Sequence, residues 1–143
     1  MGEVRLRPVC DDDLDLFFEH QRDPESVRLT GVPARDREAF DEQWRRIRAD
    51  GATFLRTIVV DALAVGNLIS WEHDGIREVG YRIGRDHWGG GITSRALALF
   101  VEELPRPLHA SIAEHNPASQ RVAEKCGFVR SRLDGDYWVY ELH

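Results

Sequence analysis

Three consecutive glycines, Gly89 to Gly91, stand directly in front of an apolar helical pattern in the stretch HWGGGITSRALALF. Glycine is a poor helix starter because it carries the largest backbone entropy into the fold. A glycine loop between a strand and a helix is nonetheless a common anion-binding device, since the free N–H groups and the dipole of the helix point at the ligand. A plain tight turn needs one or two glycines, not three. The stretch therefore indicates a site for an anionic group such as a phosphate.

Two common phosphate-binding patterns do not fit this stretch. A Walker loop requires a lysine after its second glycine, but the pair Gly84 and Gly89 is followed by Gly90. A dinucleotide fingerprint requires a third glycine at position 94, which is Ser94, and an acidic residue on a following parallel strand. Neither pattern explains the glycines.

A third pattern does fit, and it is carried by two segments. GYRIGRDHWGGGITSRAL resembles the signature of the GNAT acyltransferase superfamily, in which a strand leads into an Arg/Gln-x-x-Gly-x-Gly/Ala loop that opens a helix. Its slots map onto Trp88, Gly91 and Thr93, and Trp88 and Thr93 depart from the usual residues. NPASQRVAEKCGF resembles the second motif, Asn-x-x-Ser followed by Glu-Lys-x-Gly-Phe. With LRPVCDDDLDLF at the start, the resemblance covers nearly the whole chain and is closest to bacterial ribosomal-protein N-terminal acetyltransferases.

The resemblance implies transfer of an acetyl group from acetyl-CoA to a primary amine of a small molecule or a protein N-terminus. Gly89 and Gly91 would let the main chain approach the pyrophosphate, and the N–H groups around Ile92 to Ser94 would supply donors. The peptide-like pantetheine arm is expected along the backbone of Tyr81 to Ile83, as an added strand. The implied coenzyme A-binding residues are Tyr81, Arg82, Ile83, Trp88, Gly89, Gly90, Gly91, Ile92, Thr93, Ser94, Asn116 and Ser119.

Amine acetylation needs a neutral amine, donors to the developing oxyanion and a proton for the leaving thiolate. A backbone N–H near Ile83 is the expected oxyanion donor. Many family members place a tyrosine seven residues after the asparagine, but that position is Ala123, so Ser119 is the hydroxyl of the motif left near the sulfur. Glu78, at the start of the cofactor strand, is the other catalytic candidate. Further candidates at strand ends are Glu72, His73, Glu114 and His115.

The role of Asn116 and the function of the chain each have an alternative interpretation, the second because the motif lacks a clear general acid. Asn116 has a second role as a helix N-cap, and the two roles are compatible. Because no side chain is a strong general acid or base, the alternative function is a non-catalytic acyl-CoA-binding sensor. A third interpretation, an unrelated nucleotide-binding module, would require competition by ATP or NAD rather than by coenzyme A.

Composition excludes several other classes of protein. The chain has 143 residues, which fits one domain over 1–143, and a net charge of −6, which argues against nucleic-acid binding and mildly favours cationic partners. With only Cys10 and Cys126, a reduced cytoplasmic protein is expected. No apolar run is long enough to span a membrane. The six histidines show no paired-ligand spacing, so no metal is expected.

The elements that must position these residues follow from hydrophobic periodicity. The pattern predicts an α+β fold: a strand, two helical regions with a stripe of Phe40, Trp44 and Ile47, a three-stranded meander, a helix, an interior strand, a short helix and a hairpin around Asp134-Gly135. The resemblance adds a central, mostly antiparallel, splayed sheet of about seven strands flanked by helices. Tyr137 to Tyr140 alternate in the last hairpin, and we expect that edge to meet a second subunit in a homodimer.

Overall fold

The computed structural model describes residues 2–143, in which strands and helices form the predicted mixed α/β fold. The strands are β1 Val4–Arg7, β2 Phe54–Val60, β3 Leu63–His73, β4 Ile76–Ile83, β5 Leu108–Ala113, β6 Val129–Asp134 and β7 Tyr137–Leu142. The helices are α1 Leu14–Arg22, α2 Pro24–Thr30, α3 Arg37–Ala49, α4 Ile92–Val101 and α5 Pro117–Lys125. Short 3-10 turns at Asp11–Asp13 and Arg85–His87 precede α1 and follow β4. None of the described helices is long and apolar enough to cross a membrane.

One sheet of seven strands, in the order β1-β2-β3-β4-β5-β7-β6, organises the domain. Every neighbouring pair is antiparallel except β4 and β5, which are parallel. That parallel ladder contains only the pairs Arg77↔Leu108 and Glu78↔His109. Beyond Glu78, β4 continues to Ile83 while β5 runs on beside β7. The sheet therefore opens into two arms with a gap between β4 and β5.

Two hydrophobic clusters cover the two faces of the sheet. The main cluster joins β-strand residues to Leu97 and Phe100 of α4 and to Ala123 of α5. The second cluster holds Phe40 and Trp44 of α3 with residues of α1, and Ile47 packs against it as the predicted stripe requires. Leu55 of β2 packs on the second cluster while the adjacent Phe54 packs on the main one. Because successive strand residues point to opposite faces, the clusters lie on opposite sides of the sheet.

The apolar helical pattern that begins at Ile92 continues to Leu104, but α4 ends at Val101. Leu104 N–H donates to Val101 C=O in a tight turn. Pro105 follows, and the residue before a proline avoids the α conformation. The last hairpin ends the sheet, with β7 paired to both β5 and β6 and with β6 as the edge strand. The homodimer through that edge stays a prediction.

A buried carboxylate ties the first strand and the first helix to the sheet. Asp13, only 4% exposed, accepts hydrogen bonds from both Arg7 terminal nitrogens at 2.8 Å, from Cys10 N–H at 3.0 Å and from Thr57 Oγ at 2.7 Å. Burial raises the pKa of Asp13, but the hydrogen bonds from Arg7, Cys10 and Thr57 outweigh it and hold that pKa well below its ordinary value. The ionised form is therefore a structural element joining β1, α1 and β2.

Asp13→Asn is expected to lower the free energy of unfolding by about 1.5–3 kcal/mol at pH 7, since it removes hydrogen bonds to a charged group. Because the folded pKa is below the unfolded one of about 3.9, the stabilisation is complete above pH 4–5 and is lost as the pH falls below about 4. Urea denaturation at several pH values measures both effects. The exposed neighbour Asp12 supplies the control, Asp12→Asn. Equal stability of Asp13→Asn and wild type at pH 7 would contradict the assignment.

Candidate active site

Two cavities meet at the gap between β4 and β5. The larger, of about 340 Å³, lies between the sheet and α1, α3 and the segment 31–36. The smaller, of about 210 Å³, lies between α2, β4, the glycine loop and α5. The residues that line both cavities are Thr30, Tyr81, Arg82, Asn116 and Ser119. A molecule filling the smaller cavity can therefore present one end to a second molecule in the larger one.

Within residues 2–143, β4 has no neighbouring strand beyond Glu78 on the side of the gap. Gly84 N–H donates to Val65 C=O on the β3 side, and backbone groups of successive strand residues alternate in direction. The backbone N–H and C=O groups of Tyr81 and Ile83 consequently face the gap. Arg82 C=O points the other way, toward Gly66 of β3. The indole Nε1 of Trp88 donates to Ile83 C=O at 2.9 Å. The N–H groups of Tyr81 and Ile83 thus form a strand edge open to a ligand.

The glycine loop takes a backbone conformation that other residues rarely adopt. Gly89 and Gly91 have φ values of 83° and 78°, and a Cβ added at Gly89 would meet no atom within 4 Å. Gly91 is the N-cap of α4 and provides no side-chain cap. Arg95 N–H makes the first helical bond, to Gly91 C=O. The three preceding N–H groups, of Ile92, Thr93 and Ser94, therefore lie before the first helical hydrogen bond and point out of the helix end.

The second motif begins α5 as its residue types predict. Asn116 Oδ1 accepts a hydrogen bond from Ser119 N–H at 3.2 Å, and Pro117 follows at the first helical position. Gly127, with φ of 91°, ends the helix. The cap leaves the Asn116 amino group available as a donor beside both cavities.

Two hydroxyl groups contact each other at the junction of the cavities, and the sequence did not predict this contact. Ser119 Oγ donates to Tyr81 Oη at 2.9 Å, and Tyr81 Oη donates to the Ser119 carbonyl at 3.0 Å. Burial raises the pKa of Tyr81 to about 12. The sequence signal was alternation along β4, which places Tyr81 on the same face as Val79 and Ile83 and so toward the helices of the main cluster.

The structure places most of the predicted cofactor residues around the smaller cavity and places the other catalytic candidates away from it. Those lining the smaller cavity are Tyr81, Arg82, Ile83, Trp88, Gly89, Thr93, Asn116 and Ser119. Gly90, Gly91, Ile92 and Ser94 form the adjoining loop and first helical turn. Glu78 lines neither cavity, because it lies where β4 still pairs with β5, and burial raises its pKa. Glu72 and His73 are exposed at the end of β3, and Glu114 and His115 line a separate cavity.

Contacts from the far arm of the sheet and from α1 hold the wall of the larger cavity in place. Tyr137 Oη donates to Thr30 C=O at 2.9 Å, and His115 Nε2 lies 2.6 Å from Arg28 C=O, which ties the end of α2 to the far arm. Gln21 of α1 accepts from Arg35 N–H and donates to Arg35 C=O. Segment 31–36 is thereby fixed over the cavity, a role that no local sequence pattern reveals.

A comparison of the chain with models of known protein families identifies its family. Residues 3–129 match the model of the acetyltransferase (GNAT) domain. The chain belongs to the GNAT acetyltransferase family. That match is to the family as a whole, so the resemblance to the ribosomal-protein subgroup stays a prediction. No curated protein matches the chain at a significant level.

Solved structures share the GNAT fold over almost the full chain. A domain from Methanocaldococcus jannaschii is 21% identical, with 99% of each chain covered and a TM-score of 0.87. An acetyltransferase from Thermus thermophilus is 22% identical, again with 99% of each chain covered, and has a TM-score of 0.83. The aminoglycoside acetyltransferase AAC(6')-Ib in complex with coenzyme A is 20% identical over 97% of this chain and 93% of that one, with a TM-score of 0.81.

Asn116→Ala is expected to lower the free energy of unfolding by about 1 kcal/mol, because it removes the cap of α5. Asn116→Asp retains an oxygen acceptor for Ser119 N–H and is expected to keep wild-type stability, but it lacks the amide donor. Thermal unfolding of both variants measures the cap, and turnover measures any ligand contact of the amide. Full turnover in Asn116→Asp would restrict Asn116 to capping.

Proposed function

We propose that the protein is an N-acetyltransferase that moves an acetyl group from acetyl-CoA to a primary amine of a small molecule or a protein N-terminus. The observation that carries the proposal is the open strand edge of β4, which leads from a positive-φ glycine loop to the junction with a second cavity. A solved structure of AAC(6')-Ib contains coenzyme A and kanamycin together, which supports separate binding places for the acyl donor and the acceptor. The smaller cavity would hold the acyl donor and the larger one the amine.

The residues present fit the chemical groups of the acyl donor. Acetyl-CoA supplies an acetyl group activated as a thioester. The N–H groups of Ile92 to Ser94, at the positive end of the α4 dipole, suit its pyrophosphate. The free N–H groups of Tyr81 and Ile83 suit a peptide-like arm that adds to the sheet edge. A backbone N–H of this edge, near Ile83, would then donate to the developing charge on the carbonyl oxygen.

The proton balance of the transfer limits what the two hydroxyl groups can do. The amine nitrogen bonds to the acetyl carbon while the carbon–sulfur bond breaks, so the amine loses one proton and the thiolate gains one. An ordinary thiol has a pKa of about 8.5, well below the value near 12 to which burial raises the pKa of Tyr81. Proton transfer from Tyr81 to the thiolate is therefore uphill. We assign Tyr81 and Ser119 to orienting the ligand and assign the thiolate's proton to the incoming amine or to solvent.

The alternative, a non-catalytic acyl-CoA sensor, is favoured by one observation. Ala123, where many relatives carry a tyrosine, is fully buried in the main cluster, so no hydroxyl reaches the site from that turn of α5. Incubation with acetyl-CoA and a broad panel of amines distinguishes the two functions. Thiol release identifies the transferase, and tight coenzyme A binding without turnover identifies the sensor.

Gly91→Val is expected to abolish coenzyme A binding while the protein remains folded. A β-branched residue is strained by about 1–2 kcal/mol at the positive φ of Gly91. The loop must therefore change conformation, and its N–H groups no longer point at the pyrophosphate. Calorimetric titration with coenzyme A measures the loss. Gly51→Val is the matched control, since Gly51 lies in an exposed turn with no atom within 4 Å of an added Cβ. Unchanged affinity in folded Gly91→Val would remove the support for a pyrophosphate site.

Ser119→Ala is expected to lower kcat by less than about tenfold, because positioning and backbone electrostatics carry most of the rate. Activity should rise with pH as the acceptor amine loses its proton, without a falling limb below about pH 9. Steady-state thiol release measures both, with Ser131→Ala on the exposed strand β6 as control. A loss of a hundredfold or more, with acetyl-CoA affinity retained, would instead identify Ser119 as the general acid.

A further inference from the structure

One cation at the junction of the two cavities has no partner in the described part of the chain. Arg82 is half-buried, lines both cavities, and its Nε is buried without a hydrogen-bond partner. Two arginines before and after it in the chain are paired, Arg77 with Ser70 and Arg85 with Asp23. Burying an unpaired guanidinium is costly, and an arginine does not escape the cost by losing its proton.

The groups around Arg82 do not neutralise it. Asn67, its partner in the β3–β4 register, is uncharged and lines the larger cavity. His20 lies against Gly84, which follows the end of β4 two residues after Arg82. Burial and the positive charge of Arg82 both lower the pKa of His20, so the imidazole is neutral at pH 7. Arg82 therefore presents an uncompensated positive charge to the cavity.

The larger cavity has the character of a site for an apolar, anionic molecule. No aspartate or glutamate is among its described lining residues, although the chain has 25 acidic residues and a net charge of −6. Its charged lining residues are Arg35 and Arg82. Its aromatic lining residues are Phe17, Phe40, Trp44, Trp71, Tyr81 and Tyr137. The overall negative charge suggested cationic partners, but the local charge at this cavity has the opposite sign.

We propose that the acceptor amine also bears a carboxylate, which the Arg82 side chain binds, and an apolar or aromatic body, which the aromatic wall of the larger cavity holds. An apolar α-amino acid is the simplest molecule of this class. The inference rests on the proposed function, since it assigns the larger cavity to the acceptor. A guanidinium binds a carboxylate through paired, charge-assisted hydrogen bonds, and the cavity volume of about 340 Å³ suits one small molecule.

Matched acceptor pairs test the carboxylate directly. Phenylalanine is compared with phenethylamine, and leucine with isopentylamine, by thiol release from acetyl-CoA. In the wild type, kcat/KM for at least one amino acid is expected to exceed that of its decarboxylated partner by about 10- to 100-fold, the range of hydrogen bonds to a charged group. In Arg82→Gln that preference should vanish, so that kcat/KM for the amino acid equals kcat/KM for its decarboxylated partner in the same variant. Arg46→Gln, which removes an exposed arginine of α3, should keep the preference.

Two results would overturn the inference. One is equal or faster turnover of the decarboxylated amines by the wild type. The other is a preference that survives Arg82→Gln while coenzyme A affinity falls more than tenfold by calorimetry, which would assign Arg82 to the phosphates of the acyl donor.

Failure of the proposed function is recognised separately, by the absence of thiol release from every amine. Binding of N-acetylphenylalanine and N-acetylphenethylamine, measured by calorimetry, then decides the inference alone. Binding of the carboxylate compound that Arg82→Gln abolishes supports it, and absence of that binding in the wild type overturns it.

Discussion

The early end of the parallel pairing between β4 and β5 is the constraint on which the rest of the site depends. Two residue pairs, Arg77↔Leu108 and Glu78↔His109, hold the two arms of the sheet together. Past them β4 has an unpaired edge, and unpaired strand edges bind extended, peptide-like chains. Continued pairing along β4 would satisfy the Tyr81 and Ile83 backbone internally and close the gap, so both cavities exist because the ladder is short.

An open gap between two strands needs support from other elements, and the helices on one side of the sheet provide it. The end of α2 is bound to the far arm through Tyr137 and His115, while Gln21 fixes the segment that follows α2. These contacts hold one wall of the larger cavity, and no acidic side chain is among its described lining residues. The potential around Arg82 is therefore set mainly by the residues that line the cavity, because the exposed acidic residues elsewhere on the chain are screened by solvent and salt.

The sequence alone determined most of the secondary structure and the cofactor-side motifs, because both depend on local chemistry. Strand alternation, helical stripes and the punctuation by Gly127 and Pro117 predict elements that the structure confirms. The three glycines mark a loop in which two residues take positive φ, a conformation that glycine adopts without strain. Asn116 has the residue type and spacing of a helix cap, and it is one. Each of these features involves residues close together in the chain.

Only the tertiary structure decided which distant side chains share the site. The Tyr81–Ser119 hydroxyl pair joins residues from β4 and α5, and their contact depends on the angle between the arms of the sheet. The same holds for β7, whose place inside the sheet follows from its pairing with both β5 and β6 rather than from its own pattern. Glu78 has the right residue type for a base but lies where the arms are still paired. The resemblance in the sequence implied a cofactor role for Arg82, but only the structure shows that its Nε is buried without a hydrogen-bond partner among the described residues, because burial and pairing are properties of the assembled fold.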